Sequence, residues 1–470
     1  MPHVLISAGH KSSGKTTITL GLCAALHRRG LNIQPFKKGP DYIDPMWLTL
    51  AANKDCHNLD FHSMTRDEIR GTFRQYGHDS DLSLIEGNKG LYDGLDLEGR
   101  NSNAALARMI KAPVVLVIDA QGMTRGIAPL ILGYQAFDKR VNIAGIILNK
   151  LGGKRHEGKL RAVIEHYTNV PVIGAVHRND ALRIPEQHLG LTPGSASAET
   201  LKQIEVIADL VEAQVDLDKF ISIASTSPAI KAAPGLTLTT QRKSVRIGVA
   251  RDKAFGFYYP GDLSALKAAG AEIVEINTFK DTQLPEIDGL FIGGGFPESY
   301  LQELSTNTGL MRDIAREIEA GMPVYAECGG LMYLTRSIKW DNRSHLMVGA
   351  IPADTEMCDK PQGRGYVRLK ETNNMPWLPE NTNDNNKEFC AHEFHYSRLI
   401  NVNDKIKYAY KVMRGFGIDG ENDGVVYKNV LASYTHLRNV KHNKWASRFV
   451  EFVNNCKHKQ IPAIKVAKLN

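Results

Sequence analysis

Cysteine is scarce in this chain, with six in 470 residues (positions 23, 56, 328, 358, 390 and 456), and none stands in a C-x-x-C pair. That scatter argues against a zinc site and a disulfide framework, and for a reducing cytoplasm. Long apolar runs are missing as well. No stretch approaches the roughly 18–20 residues of a membrane span, although 43% of the residues are hydrophobic and can furnish sizeable cores. The chain reads straight into a strand, so no signal peptide is expected. Concentrated charge of one sign is also lacking. The net charge is +7, and the basic residues are dispersed until a short tail, Lys457 to Asn470. No nucleic-acid module is recognisable. Such a surplus is ordinary for a soluble protein; where it is functional, it suits a small polyanion better than nucleic acid or a membrane.

What is present reads as two α/β halves, in keeping with the length. Apolar runs at 3–8, 32–36, 81–87, 113–119, 142–149 and 170–176 alternate with helical spacing near 17–29, 101–111, 124–137 and 156–167. Pro113 to Asp119 is apolar throughout, as in a parallel strand buried on both faces. A Ser-, Thr- and Pro-rich stretch follows, and a second series starts with Val245 to Ala250. The expected division is a nucleotide-binding domain over 1–217, a linker over 218–243, a second α/β domain over 244–455 and a basic tail over 456–470. The Asn-rich segment 379–387 reads as a surface loop.

Two motifs carry chemistry. Gly9-His10-Lys11-Ser12-Ser13-Gly14-Lys15-Thr16 fits the phosphate-loop pattern G-x-x-x-x-G-K-[ST] between a strand and a helix. Gly9 and Gly14 let backbone N–H groups face phosphate, Lys15 neutralises its charge, Thr16 offers a hydroxyl to Mg²⁺, and Thr17 continues the loop into the helix. ATP and Mg²⁺ are therefore the expected cofactors. Magnesium beside phosphate wants carboxylates, and ligands of open α/β sheets gather at the carboxyl ends of strands. Asp41 and Glu86 lie at such ends and join Thr16 as metal candidates. Lys38, Tyr42, Asp44, Asn88, Lys89 and Asp93 are candidates for the acceptor side. Asp119 is a weaker candidate that could serve only to cap the following turn.

The second motif is Ala326-Glu327-Cys328-Gly329-Gly330 after an apolar strand. A cysteine at a tight strand-to-helix turn is held clear of the sheet near backbone N–H donors. Gly294, Gly295 and Gly329 are the expected oxyanion donors. The thiol needs a base, and His436, in Ser433-Tyr434-Thr435-His436 after another strand, is the favoured one. His392 and His395 compete with it.

These motifs, with Lys38-Gly39-Pro40-Asp41-Tyr42-Ile43-Asp44-Pro45, Gly90-Leu91-Tyr92-Asp93-Gly94, Ala254-Phe255-Gly256-Phe257-Tyr258-Tyr259 and Gly293-Gly294-Gly295-Phe296-Pro297-Glu298, resemble the cobyrinate a,c-diamide synthase family of glutamine-dependent tetrapyrrole amidotransferases. The resemblance covers about residues 3–450. It implies a phosphate-loop domain similar to dethiobiotin synthetase, followed by a domain similar to class I glutamine amidotransferases. It further implies that Cys328 attacks glutamine with His436 as its activator. The released ammonia would meet a side-chain carboxylate that ATP has converted to an acyl phosphate. Glutamine and a tetrapyrrole polycarboxylate are the implied partners; a homodimer is compatible with the sequence and not required by it.

Three departures bear on that picture. The class I pattern His-x-Glu is broken by Arg438, which leaves a Cys–His dyad. Ala326 stands where the elbow usually has glycine, as this branch allows. Asn88-Lys89 replaces an expected apolar pair before Gly90, and in this the chain is similar to siroheme or sirohydrochlorin amidases of dissimilatory sulfur metabolism. Cobyric acid synthase is disfavoured because that branch lacks the Gly39-to-Asp44 segment. A partitioning-type ATPase switch would have no use for Cys328 or His436, and a degenerate scaffold would have lost Lys15 or Cys328.

Overall fold

The computed structural model describes residues 1–184, 186–187, 190–191, 197–228, 243–341, 343–377 and 388–460. Two compact units, Met1–Leu236 and Thr237–Asn470, divide the chain.

In the first unit β1 (His3–Ala8), α1 (Lys15–Arg28), β2 (Ile33–Lys38), α2 (Ile43–Ala52), β3 (His57–Leu59), α3 (Arg66–Gly77) and β4 (Leu82–Glu86) come first. They are followed by α4 (Asn103–Ile110), β5 (Val114–Asp119), α5 (Ile127–Phe137), β6 (Ile143–Leu151), α6 (Lys154–Tyr167) and β7 (Val172–His177). The seven strands form one parallel sheet in the order β3-β2-β4-β1-β5-β6-β7. Val4, Leu5, Ile6, Val115 and Val117 are completely buried, as the apolar runs of β1 and β5 require of central strands with helices on both faces. The phosphate loop leaves the carboxyl end of β1. Ile6 and Lys37 both lie opposite Glu86 in the register of β4, so β2 and β4 deliver a lysine and a glutamate beside the loop.

Residues 218–225, expected as the start of a linker, are helical. The helix α8 (Leu217–Ser225), after α7 (Ala198–Glu212), buries Leu217, Phe220 and Ala224 while Asp216 caps its first turn through Lys219 N. Its serines face outward, and apolar spacing on one face outweighs a composition that reads as linker. Residues 229–242 of that expected linker and the loop expected over 379–387 fall outside the described residues.

The second unit carries a nine-stranded sheet. Five strands run parallel in the order Ala271–Ile276, Val245–Ala250, Gly289–Ile292, Val324–Glu327 and Val430–Ser433. Four antiparallel strands, Asn422–Tyr427, Lys407–Arg414, Gly363–Glu371 and Glu388–His395, extend it. Side chains of Val324 and Ala326 enter one core with Ile292, Leu310 and Ile314, while Tyr325 enters the other with Phe291, Trp445 and Phe449. That alternation places Tyr325 and Glu327 on the same face of the strand. The helix Trp445–Gln460 runs through the first residues of the expected basic tail, and Lys457 Nζ pairs with Asp288 Oδ2 at 2.9 Å. Among the described residues no helix is long and apolar enough to cross a membrane.

Candidate active sites

The phosphate loop closes around Gly14, whose φ of +87° and whose approach to Asn149 leave no room for a side chain: a Cβ there would lie 2.1 Å from Asn149 Nδ2. Asn149 Nδ2 donates to Ser13 O at 2.9 Å, and the Tyr134 hydroxyl donates to Gly9 O at 2.6 Å. Lys15, Thr16 and Thr17 open α1. The Lys15 ammonium is buried, and loss of hydration lowers its pKa to about 8 despite Glu86 nearby.

Thr16 Oγ1 donates to Glu86 Oε1 at 2.7 Å and to Asp44 Oδ2 at 3.3 Å. Lys37, buried at the end of β2, donates to the same Glu86 oxygen at 2.8 Å and to Asp44 Oδ2, and lies 3.8 Å from Asp41 Oδ2. Burial alone would lower the Lys37 pKa; Asp44, Glu86 and Asp41 outweigh it and hold the ammonium charged. Asp41 is pushed up to about 7, first by lost hydration and then by the Asp44 charge. Its Oδ1 accepts from Ile43 N and Asp44 N, so this side chain also caps α2. Glu86 is raised by burial, with Lys37 opposing.

One oxygen of Glu86, Oε2, is buried without a hydrogen-bond partner among the described residues, while Oε1 accepts from the Thr16 hydroxyl. An orphan oxygen next to a phosphate loop fits a Mg²⁺ that takes one or two carboxylates and finds its other ligands on phosphate and water. Among the described residues there is no cluster of three or more His, Cys, Asp or Glu built to hold a metal without such help. The structure thus brings Thr16, Glu86 and Asp44 into direct contact, with Asp41 at the edge of the group.

The acceptor-side candidates separate. Lys38 Nζ donates to Asn88 Oδ1 at 2.9 Å, and burial lowers the Lys38 pKa to about 8. Tyr42 is buried, Lys89 is exposed with a φ of +31°, and Asp93 Oδ2 closes a turn by accepting from Gly90 N at 2.9 Å. Asp119 does cap its turn, accepting from Gln121 N at 3.0 Å, and also pairs with Lys150.

In the second unit Cys328 has φ +47° and ψ −101°, a conformation cysteine rarely adopts, and its N–H donates to Ser433 O at 2.7 Å. The sharp turn lifts the thiol off the sheet toward His436, to which it is hydrogen-bonded. His436 Nδ1 donates to Glu327 Oε2 at 3.2 Å. The other oxygen of Glu327 accepts from Leu437 N at 2.9 Å and from the Tyr325 hydroxyl. Burial would depress the imidazolium; Cys328 and Glu327 together raise it to about 10. The expectation of an unassisted Cys–His dyad is therefore corrected: the histidine has a carboxylate partner, supplied from the residue before the nucleophile rather than from position 438. Arg438 instead lies over the Tyr259 ring, 4.9 Å from its centroid.

The expected oxyanion glycines converge here. A Cβ on Gly329 would stand 3.1 Å from Gly295 N, and one on Gly294 would stand 2.5 Å from His436 Cε1. Of the competing histidines, His392 stacks on His436 at 5.0 Å and pairs with it through backbone hydrogen bonds. His395 lies against Tyr434, with Nδ1 bonded to Ser397 O at 2.8 Å.

Residues 4–191 match the CobQ/CobB/MinD/ParA nucleotide binding domain, and residues 246–444 match the CobB/CobQ-like glutamine amidotransferase domain. A cobyrinate a,c-diamide synthase of Magnetococcus marinus is 41% identical over 96% of this chain and 97% of its own. Those of Methanosarcina acetivorans (38%, over 98% of this chain and 97% of its own) and Picrophilus torridus (42%, over 96% and 99%) are similar throughout. The chain belongs to the cobyrinate a,c-diamide synthase family. This makes it a glutamine-dependent amide ligase with a nucleotide-binding domain. A structure of PurLQS from Thermotoga maritima overlaps 45% of this chain and 97% of its own at TM-score 0.35 and 15% identity, too low a likeness to bear on fold or function.

For this family member, inspection of the sequence missed Lys37, Asn103, Asn149 and Glu327. Asn103 Nδ2 donates to Ser7 Oγ, Asn88 O and Gly90 O, tying the Asn88–Gly90 turn to β1. Lys37 stands one residue before the segment that begins at Lys38. Register is what distinguishes them, since Lys37 faces Glu86 directly across β4.

Proposed function

We propose that the enzyme amidates the a and c acetate carboxylates of cobyrinate, using ATP and glutamine. The observation that carries this reading is the pairing, in one chain, of a phosphate loop beside buried carboxylates with a cysteine–histidine–glutamate arrangement. The names of the similar enzymes supply the acceptor. The thiolate of Cys328 adds to the glutamine side-chain carbonyl; its oxyanion would be met by N–H groups of Gly294, Gly295 and Gly329. His436 gives its proton to the departing nitrogen, the C–N bond breaks, and ammonia leaves. Water then cleaves the thioester to glutamate. In the first unit the γ-phosphoryl group passes to an acetate carboxylate with loss of ADP, and ammonia displaces phosphate to give the amide. Lys15 neutralises the transferring phosphoryl group. Thr16 and Glu86, with Asp41 or Asp44, would hold Mg²⁺, which would screen the phosphate charge. Lys38 and Asn88 form the polar wall offered to the acceptor.

The test is incubation with ATP, Mg²⁺, glutamine and either cobyrinate or sirohydrochlorin, followed by mass spectrometry for stepwise conversion of carboxyl to amide. Conversion of sirohydrochlorin alone would reassign the acceptor, and no conversion of either would overturn the reading. Cys328→Ala is expected to abolish the glutamine-supported reaction and keep the ammonia-supported one.

A further inference from the structure

We propose that Glu327 is the positioning residue of the thiol site: it holds His436 by Nδ1 and so replaces the glutamate that the class I pattern puts two residues after the histidine. The inference rests on reading Cys328 as the thiol that attacks glutamine, and it goes beyond it by naming what orients the base.

Glu327 ends the strand Val324–Glu327 and is buried. Its two oxygens have separate duties. Oε1 is fixed by Tyr325 and by Leu437 N, so the carboxylate cannot swing. Oε2 is left to face His436 Nδ1. With Nδ1 engaged, Nε2 is the ring nitrogen left for the thiol, which is the tautomer and orientation a base in this place requires. Position 438, where the carboxylate of the class would sit, holds a cation directed at an aromatic ring. Around the imidazole stand Cys328 on the strand turn, the Glu327 carboxylate, Gly294 and the His392 ring stacked on its face. Behind Glu327 stand Tyr325 and the carboxylate of Asp262, itself bonded to Asn439 N and Trp445 Nε1.

A carboxylate that only tied down Leu437 N would serve the fold and leave the histidine's titration untouched. One that positions His436 should govern it. Three readouts on the full-length protein separate these roles: glutamate release, the pH dependence of that release, and ammonia-supported amidation of cobyrinate. Glu327→Gln keeps the shape and removes the charge. It is expected to lower kcat for glutamine hydrolysis roughly ten- to a hundredfold, the equivalent of a charge-assisted hydrogen bond. KM should stay nearly constant, and the alkaline limb of the profile should move to lower pH because the imidazolium loses its counter-charge. Glu327→Asp, charged but shorter, should fall between Glu327→Gln and the native enzyme on both measures. Ammonia-supported amidation should be unchanged. An unmoved alkaline limb with kcat within threefold of native would overturn the inference while leaving the assignment of Cys328 intact. Should Glu327→Gln lose the ammonia-supported reaction too, Glu327→Asp and Tyr325→Phe decide on the same readouts, and unmoved limbs in both count against it. Glutamine hydrolysis that survives Cys328→Ala would instead remove the reading on which the inference stands.

Discussion

In the first unit the buried ammonium of Lys37 stands among three carboxylates from two stretches of chain, and an oxygen of the most buried one has no hydrogen-bond partner among the described residues. In the second unit one buried carboxylate, Glu327, is saturated by a phenol, an amide and an imidazole. The first arrangement leaves a carboxylate oxygen uncommitted; the second is closed within the chain. A site that must accept a charged nucleotide keeps polar groups uncommitted for it. A site that must hold a nucleophile ready is finished beforehand. The two halves thus divide preorganisation between them.

The contrast is broken most severely at Lys15. Lys15→Ala is expected to reduce amidation with glutamine or ammonia by about a thousandfold, near the upper end for loss of one charge-stabilising group. Glutamate release should stay within a few-fold of native. Product mass and glutamate assays check both, and equal losses in both would erase the division. Next comes Lys37→Met, which strands Glu86 and Asp44 in a buried setting. A cost of about 3–5 kcal/mol is expected for removing one side of such a group, read as lost hydrogen-exchange protection in β1 and β4 with the second unit unaffected. Gly294→Ala would press a methyl group into the His436 ring. It should lower glutamine hydrolysis about tenfold, a shift of roughly 1–2 kcal/mol, and leave ammonia-supported amidation alone. A last effect is on pH, gradual rather than abrupt. The His436 pKa is raised to about 10 in the fold from an ordinary 6.5. Its contribution to stability is full below the ordinary value and is lost as pH climbs through the folded one. Between about pH 7 and 9 the native second unit should lose about 1 kcal/mol per pH unit relative to His436→Asn, measured by thermal unfolding across that range.

The phosphate loop and the cysteine elbow were legible because their chemistry is local: glycines, a lysine and a thiol at fixed spacing along a few residues. The central strands were legible because β1, β5 and the strand before Cys328 are apolar enough to declare burial. Partners that depend on register were not. Nothing along the chain relates Lys37 to Glu86, which become neighbours only when β2 and β4 pair. Glu327 was in plain view as part of the elbow, but its relation to His436 needs Val324–Glu327 and Val430–Ser433 side by side. Strands such as Lys407–Arg414 escaped notice because only Ala409 and Tyr410 of that stretch are buried. Helix α8 carries the serines of a linker on its outer face, and its apolar face is reduced to Leu217, Phe220 and Ala224.

The left-handed backbone at Cys328 sets fitness against comfort. A side chain at φ +47° and ψ −101° costs on the order of 1–3 kcal/mol, and glycine would shed it. Replacing Cys328 with glycine should therefore give a sturdier protein that no longer draws nitrogen from glutamine. At that position selection for durability alone would drift away from cysteine, so an engineered gain in thermal tolerance there would signal the loss of glutamine use.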